Sequence, residues 1–79
     1  MGNLENDPSI RILCRNIQRL RRRTGLSQKD MAALLQISIY SLRRLENGQL
    51  PPRLGINFLF SISRHFKMTP ARLLSEPVE

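Results

Sequence analysis

The sequence has little of what disulfide scaffolds, metal centres and membrane spans are built from. Its 79 residues include one cysteine, one histidine and no tryptophan. Cys14 alone excludes an intramolecular disulfide framework and suits a reducing interior, so we expect a cytoplasmic protein. His65 has no Cys, His or Asp neighbour at a metal-binding spacing. The longest run that resembles a membrane segment, residues 56–62, contains Asn57 and is far shorter than the ~20 residues of a membrane span, so we expect a soluble protein.

Acidic residues are also scarce. Six Asp and Glu stand against 13 Lys and Arg, which gives a net charge of +7 and a sequence pI near 11.4. This balance favours a polyanionic partner, and nucleic acid is the first candidate. Apart from Glu46, the acids are scattered or terminal, and no nucleophile has a visible base beside it. We therefore expect neither an enzyme nor a need for a cofactor.

The apolar residues follow a helical rhythm. Leucine and isoleucine recur at spacings of three and four, while glycine and proline fall between these patterns, so the sequence predicts an all-α fold with five helices and no strand. The first helix should begin near Pro8 and end at Gly25, and Gly48 should close the third helix in the same way. We expect a single domain at residues 7–75, with flexible tails at residues 1–6 and 76–79.

The segment from Ser27 to Gly48 contains two short helical patterns with a very short joint. Ser27 is a good helix N-cap, and Asp30 stands three residues later as in a capping box. Ser38 is a second N-cap candidate only three residues after Leu35, the last apolar residue of the first pattern. Two helices must therefore meet at a sharp corner. This arrangement predicts a helix-turn-helix, and with it binding to DNA.

Two further helices should complete the fold. The fourth is predicted from about Gly55 to His65, with Phe58 or Phe60 at the margin of its apolar stripe. That stripe is expected to consist of Ile56, Leu59, Ile62 and Phe66. Thr69-Pro70 predicts the start of a short fifth helix that closes the hydrophobic core.

Several short motifs occur in a fixed order between Ile17 and Leu74. They are Leu20-Arg21, Gly25-Leu26-Ser27-Gln28, Met31-Ala32-x-x-Leu35-x-Ile37-Ser38, Leu42-x-x-Leu45-Glu46-Asn47-Gly48, Pro52 and Phe66-Lys67-Met68-Thr69. In this order and spacing they resemble the lambda-repressor-like (Xre/Cro) helix-turn-helix family of transcriptional regulators. The resemblance implies a compact domain of five helices, in which the third helix lies in the major groove and the N-terminus of the second faces a phosphate.

The resemblance also implies a DNA-binding surface. Gln28 would contact the DNA backbone with Lys29 beside it, and the third helix would face the bases, where arginine side chains fit guanine O6 and N7. One or two arginines among residues 19–23 would lie near phosphate, unless that run is only a solvated face. The full set of expected DNA-binding residues is Gln28, Lys29, Ser38, Ile39, Tyr40, Ser41, Arg43, Arg44 and Asn47.

Three residues depart from the usual family pattern. Ile39 and Tyr40 stand where polar residues usually begin the third helix, so they either meet a thymine methyl, a base or a phosphate, or form an apolar surface for a protein partner. Gln36 occupies a turn position that often holds glycine, and a positive φ there would cost on the order of 1 kcal/mol. Arg21 and Glu46 occupy positions that pair across the first and third helices in similar proteins, which makes them an expected structural ion pair.

Taken together, these expectations describe a sequence-specific regulator of transcription, a repressor acting as a homodimer on palindromic double-stranded DNA. One module buries limited surface, so two copies should bind half-sites about 34 Å apart, one helical turn. The alternative is a partner-binding protein, such as the antitoxin of a toxin–antitoxin pair, which also binds its own operator. The two differ in whether Ile39, Tyr40 and the Phe58/Phe60 margin remain exposed in the lone protein.

Overall fold

The computed structural model describes residues 6–52 and 54–78. It contains five helices and, in those residues, no strand, which confirms the predicted all-α fold. None of the helices in this part of the chain has the length and apolar character needed to cross a membrane. The helices are α1 (Pro8–Thr24), α2 (Gln28–Leu35), α3 (Ile39–Glu46), α4 (Asn57–Phe66) and α5 (Pro70–Ser75).

Four of the five helices begin with a side-chain cap. Asp7, Ser27, Ser38 and Thr69 each accept a hydrogen bond from a backbone N–H in the first turn of the helix that follows. The exception is α4, where Ile56 occupies the N-cap position and has no side-chain acceptor to offer. Its start also differs from the prediction, since α4 begins at Asn57 rather than near Gly55. Without a capping residue, the sequence carries no local signal that would fix this boundary.

The first four helices end in a similar way, with a left-handed residue just beyond the last turn. Gly25 and Gly48 have φ values of 74° and 81°, and Gln36 and Lys67 have φ values of 59° and 56°. At each end, backbone N–H groups donate back to carbonyls of the final turn, which would otherwise be unpaired. Two of these four positions hold a residue with a Cβ, so the backbone there carries strain that glycine would avoid.

The core lies where the apolar stripes of the helices meet. α1 packs mainly against α5 and α3, and α2 packs against α3 and α4. Phe58 lies in this core, although the sequence places it at the margin of α4. The prediction that Ile56 belongs to the apolar stripe of α4 was wrong, because this residue is 62% exposed. The fully buried side chains include Ile17, Met31, Leu35, Leu42, Leu45, Ile62 and Leu73.

Residues 76–78 are attached to α1 by hydrogen bonds, in contrast to the flexible tail expected there. The fully buried Asn16 amide donates to the carbonyls of Leu73 and Glu76 at 2.9 and 3.0 Å, and it accepts from the Val78 N–H at 2.9 Å. Arg19 adds a hydrogen bond to the Val78 carbonyl. A buried amide must be paired to offset its desolvation; the backbone of this segment supplies two of the three partners, and Leu73 in α5 supplies the third. Residues 1–5 and 79 of the expected tails lie outside the described residues.

Candidate nucleic-acid interface

The corner between α2 and α3 is built from backbone geometry and one serine cap. Gln36 adopts the left-handed conformation, which lets the Ile37 N–H donate back to the Ala32 carbonyl at 3.0 Å. Ser38 is extended, and its Oγ accepts from the Ser41 N–H at 3.0 Å, which starts the next helix. Only three residues separate the two helices. The predicted sharp corner is therefore confirmed, and it fixes the direction in which α3 leaves α2.

Opposite faces of α3 have opposite character. Leu42 and Leu45 are fully buried and attach the helix to the core. On the outer side, Tyr40 is 73% exposed, and Arg43 and Arg44 are exposed as well. Each arginine carries a full positive charge at neutral pH, so α3 presents a cationic surface to solvent. A helix of this width and charge fits the major groove of a DNA duplex.

A largely buried ion pair joins α3 to α1. Arg21 Nε and Nη2 donate to Glu46 Oε2 and Oε1 at 2.6 and 2.9 Å, and the Glu46 side chain is only 4% exposed. The pKa of the Arg21 guanidinium is raised because it donates to Glu46; burial opposes this effect and the negative charge of Glu46 adds to it. Arg21 also donates to the Leu26 carbonyl, in the link between α1 and α2. The pair therefore connects α1, α3 and the link that leads into α2.

Gln28, the first residue of α2, lies between this ion pair and the outer face of α3. Its Nε2 donates to Glu46 Oε1 at 3.3 Å, and its Oε1 accepts from Arg43 Nε at 3.3 Å. The side chain is half-buried, whereas Arg43 is exposed. Four side chains from three helices thus form one continuous series of hydrogen bonds from the interior to the cationic surface.

The comparison with known families agrees with this geometry. Residues 12–73, more than three quarters of the chain, match the family described as a helix-turn-helix domain. The chain belongs to this family. No curated protein and no solved structure matches the sequence. A helix-turn-helix domain is a DNA-binding module, which indicates a DNA-binding regulator and is consistent with the lambda-repressor-like resemblance.

Among the expected DNA-binding residues, two cationic side chains and one amide are unengaged in the described part of the helix-turn-helix domain. Lys29, Arg44 and Asn47 are exposed, and their side chains form no hydrogen bond or ion pair with other residues in the described ranges. Lys29 lies in the first turn of α2, where free N–H groups already favour an anion. These side chains are available to an external ligand without the loss of an internal contact.

Other expected residues are partly committed within the helix-turn-helix domain. The Ser38 hydroxyl accepts from the Ser41 N–H and donates to Ser41 Oγ at 3.0 Å, so both serines serve the N-cap of α3. Ile39 is half-buried and packs against the core. Of Ile39 and Tyr40, the two apolar residues that depart from the family pattern, only Tyr40 is exposed. The structure therefore separates the two residues that the sequence treats alike.

A second cationic region borders the end of α3. Arg11 and Arg15, on the exposed side of α1, line a shallow groove of about 300 Å³ together with Gln18 and Asn47. Neither arginine forms an ion pair within the described part of the chain. Positive charge thus lies at the C-terminal end of α3 as well as on its outer face, and it comes from the first helix as well as the third.

Sequence reasoning did not find the link between Gln28 and Arg43. The two residues are 15 positions apart and lie on different helices, so no short motif reports their contact. A signal was nevertheless present in the residue types. Glutamate accepts, arginine donates, and an amide does both, so a glutamine at the start of α2 is able to join them.

Proposed function

We propose that this protein is a sequence-specific regulator that binds double-stranded DNA and represses transcription by inserting α3 into the major groove. The observation that carries the proposal is the exposed cationic face of α3, which is held at a fixed angle by the corner and by the Arg21–Glu46 ion pair. The net charge of +7 supports binding to a polyanion. Repression needs nothing beyond occupancy of the operator and requires no cofactor.

Contacts to phosphate set the position of the domain on the duplex. Gln28 and Lys29 lie at the N-terminus of α2, where unpaired N–H groups and the helix dipole favour a phosphate oxygen. Asn47 lies at the other end of the unit, directly after α3. These contacts fix register and orientation but carry no information about sequence.

Contacts from α3 read the bases. Arg43 and Arg44 have the planar fork that pairs with guanine O6 and N7, worth about 1 to 3 kcal/mol of discrimination for each bidentate contact. The exposed Tyr40 hydroxyl reaches a base or a phosphate. Ser38, Ile39 and Ser41 form the first turn of α3, where Ile39 offers a methyl contact to thymine and the serines shape the approach.

Two copies are required for useful affinity and specificity. A single small module buries limited surface on DNA, so we propose a homodimer on a palindrome with half-sites about 34 Å apart. The α3 helices of the two copies would then lie in successive major grooves on one side of the duplex. The spacing of the recovered half-sites is therefore a geometric test of the dimer.

The test is selection of bound duplexes from a random pool, repeated with Arg43→Ala. We expect a palindrome whose preference relaxes at one base pair in each half-site when Arg43 is removed. If about five phosphates are neutralised, log affinity should fall against log salt with a slope of about −4.5. An unstructured pool, or affinity that does not change with salt, would contradict the proposal.

The second candidate is a partner-binding protein, such as an antitoxin that also binds its operator. Three large apolar side chains favour it, since Tyr40, Ile56 and Phe60 are 73%, 62% and 51% exposed. Against it, Ile39 and Phe58 pack into the domain, so part of the expected apolar surface is absent. Recovery of a palindrome by the lone protein favours the regulator, whereas binding that requires a second protein favours the alternative.

A further inference from the structure

The hydrogen bonds from Arg21 to Arg43 cross three helices and end at the surface of α3. Arg21 donates twice to Glu46 at 2.6 and 2.9 Å, Glu46 accepts from Gln28 at 3.3 Å, and Gln28 accepts from Arg43 at 3.3 Å. The first contact is almost completely buried, and the last is exposed. The last two bonds are long, so they guide orientation more than they add stability.

The chemistry of these groups fixes the direction of every bond. A carboxylate only accepts and a guanidinium only donates, so Glu46 and Arg43 cannot exchange roles. The Gln28 amide must turn its NH₂ group towards Glu46 and its oxygen towards Arg43. The buried ion pair holds the Glu46 carboxylate in place, and this carboxylate therefore determines which end of the amide faces outward.

The contact constrains Arg43 while leaving its binding edge free. Gln28 engages only Nε, and neither Nη atom of Arg43 forms a hydrogen bond with another described residue, so both are available for a bidentate contact. Arg44, its neighbour on α3, has no comparable support within the described residues. Restriction of a long side chain before binding lowers the entropy lost in the complex, which corresponds to about 3- to 10-fold in affinity.

We propose that Gln28 is a positioning residue for base recognition: it holds the Arg43 guanidinium in the orientation that reads guanine, in a direction set by the Arg21–Glu46 pair. The inference rests on the proposed function, in which Arg43 contacts a base. It adds that specificity at this base pair depends on a residue of α2. The second Nε2 hydrogen of Gln28 remains free for a phosphate, so one amide can couple the register on the backbone to the reading of a base.

Binding measurements on the full chain test the proposal. Duplexes that vary at each base pair of the selected site would be measured with Gln28→Met, Arg43→Ala and the double variant, since methionine keeps the length of glutamine without its polar groups. We expect Gln28→Met to reduce discrimination about 3- to 10-fold at the base pair that Arg43→Ala affects, and the double variant to resemble Arg43→Ala. Equal weakening on all duplexes would show that Gln28 only contacts phosphate and would overturn the proposal.

Two variants separate this role from a loss of folding. Gln28→Glu keeps an acceptor for Arg43 but loses the donor to Glu46, so its thermal midpoint is measured as well; it should weaken binding to every duplex by charge repulsion but keep the preference at the Arg43 base pair. Gln49→Ala removes an exposed glutamine next to α3 and should leave the preference at every base pair unchanged. Loss of the Arg43 preference in either variant would count against the proposal.

A measurement without DNA keeps the proposal separate from the proposed function. Exchange of the Arg43 Nε–H proton with water, followed by NMR, should be slower than that of Arg44 Nε–H, and Gln28→Met should make the two rates similar. Unchanged exchange in Gln28→Met would refute the contact itself. Wild-type protein with no base preference but with slow Arg43 exchange would refute base reading while leaving the Gln28–Arg43 contact established.

Discussion

The two connections that flank α3 are built in opposite ways. The first, residues 36–38, is short, with a left-handed turn, one apolar residue packed against the core and a serine cap. The second, residues 47–56, is long and contains Leu50, Pro51 and Leu54, and it leads into the only one of the five helices without a side-chain cap. The first connection leaves α3 a single direction relative to α2. The second only returns the chain to the core.

The surfaces around the two connections also differ, in polarity. Beside the first connection, Ser38 and Ser41 pair at the start of α3, and Gln28 accepts a hydrogen bond from Arg43. The second connection borders an apolar groove of about 470 Å³, next to the exposed Ile56. We infer that geometric accuracy is concentrated at the surface proposed to read bases. Elsewhere, burial of apolar residues is sufficient to close the fold.

The largest effect is expected from Glu46→Ala, which removes the polar support of α3. Arg21 would remain mostly buried without its carboxylate, so we expect a loss of about 3 to 5 kcal/mol in the free energy of unfolding. A domain of this size has roughly 4 to 12 kcal/mol in total, so the loss is a large fraction of the stability and should lower the thermal midpoint by more than about 10 °C. Chemical denaturation followed by circular dichroism would measure the loss.

The chain supplies a matched control for this variant. Glu76 also pairs with an arginine, Arg72, at 2.9 Å, but both side chains are about 60% exposed. Glu76→Ala should therefore cost only about 0.2 to 1 kcal/mol. A Glu46→Ala variant with the same thermal midpoint as Glu76→Ala would show that burial of the Arg21–Glu46 pair contributes nothing to stability.

A smaller effect on stability is expected from substituting the N-cap residue of α3 or of α4. Ser38→Ala leaves the Ser41 N–H without its acceptor and should cost about 1 kcal/mol, or roughly 4 to 8 °C in thermal midpoint. Ile56→Asp places a negative charge at the uncapped start of α4, where the helix dipole favours it, and should raise the free energy of unfolding by about 0.5 kcal/mol. Destabilisation by Ile56→Asp of the same size as that by Ser38→Ala would contradict the contrast between the connections.

The sequence predicted those parts of the fold that depend on local chemistry. Ser27, Ser38 and Thr69 marked helix starts because a cap acts within three residues of itself. The start of α4 was displaced by two residues because Ile56 offers no such signal. Where a boundary is set by packing of the core, as for α4, the residue pattern alone indicates a helix but not its first residue.

The candidate site shows the same division between features that local residue spacing predicts and features that depend on how the helices pack. The exposed cationic face of α3 follows from its helical spacing, since Leu42 and Leu45 must face inward and Arg43 and Arg44 are then directed outward. The contact between Gln28 and Arg43 depends on how α2 and α3 cross, and residue spacing does not encode that angle. The attachment of residues 76–78 to Asn16 is similar, because it joins segments about 60 positions apart.

The smallest predicted effect concerns Gln36 and Gly48, the left-handed residues at or near the start of each connection. Gln36 at φ 59° carries a backbone strain that Gly48 at φ 81° does not, although each closes a helix with similar hydrogen bonds. Gln36→Gly should therefore stabilise the domain by about 0.5 to 1 kcal/mol, after allowance for the greater freedom of glycine in the unfolded chain. Gly48→Ala should destabilise it by a similar amount, because no atom lies within 4 Å of the added Cβ and only the backbone strain remains. Urea denaturation of both variants provides the measurement. Opposite shifts in the free energy of unfolding would show that the first connection keeps its shape despite backbone strain at Gln36. A loss of stability in Gln36→Gly would show instead that the Gln36 side chain itself supports the corner.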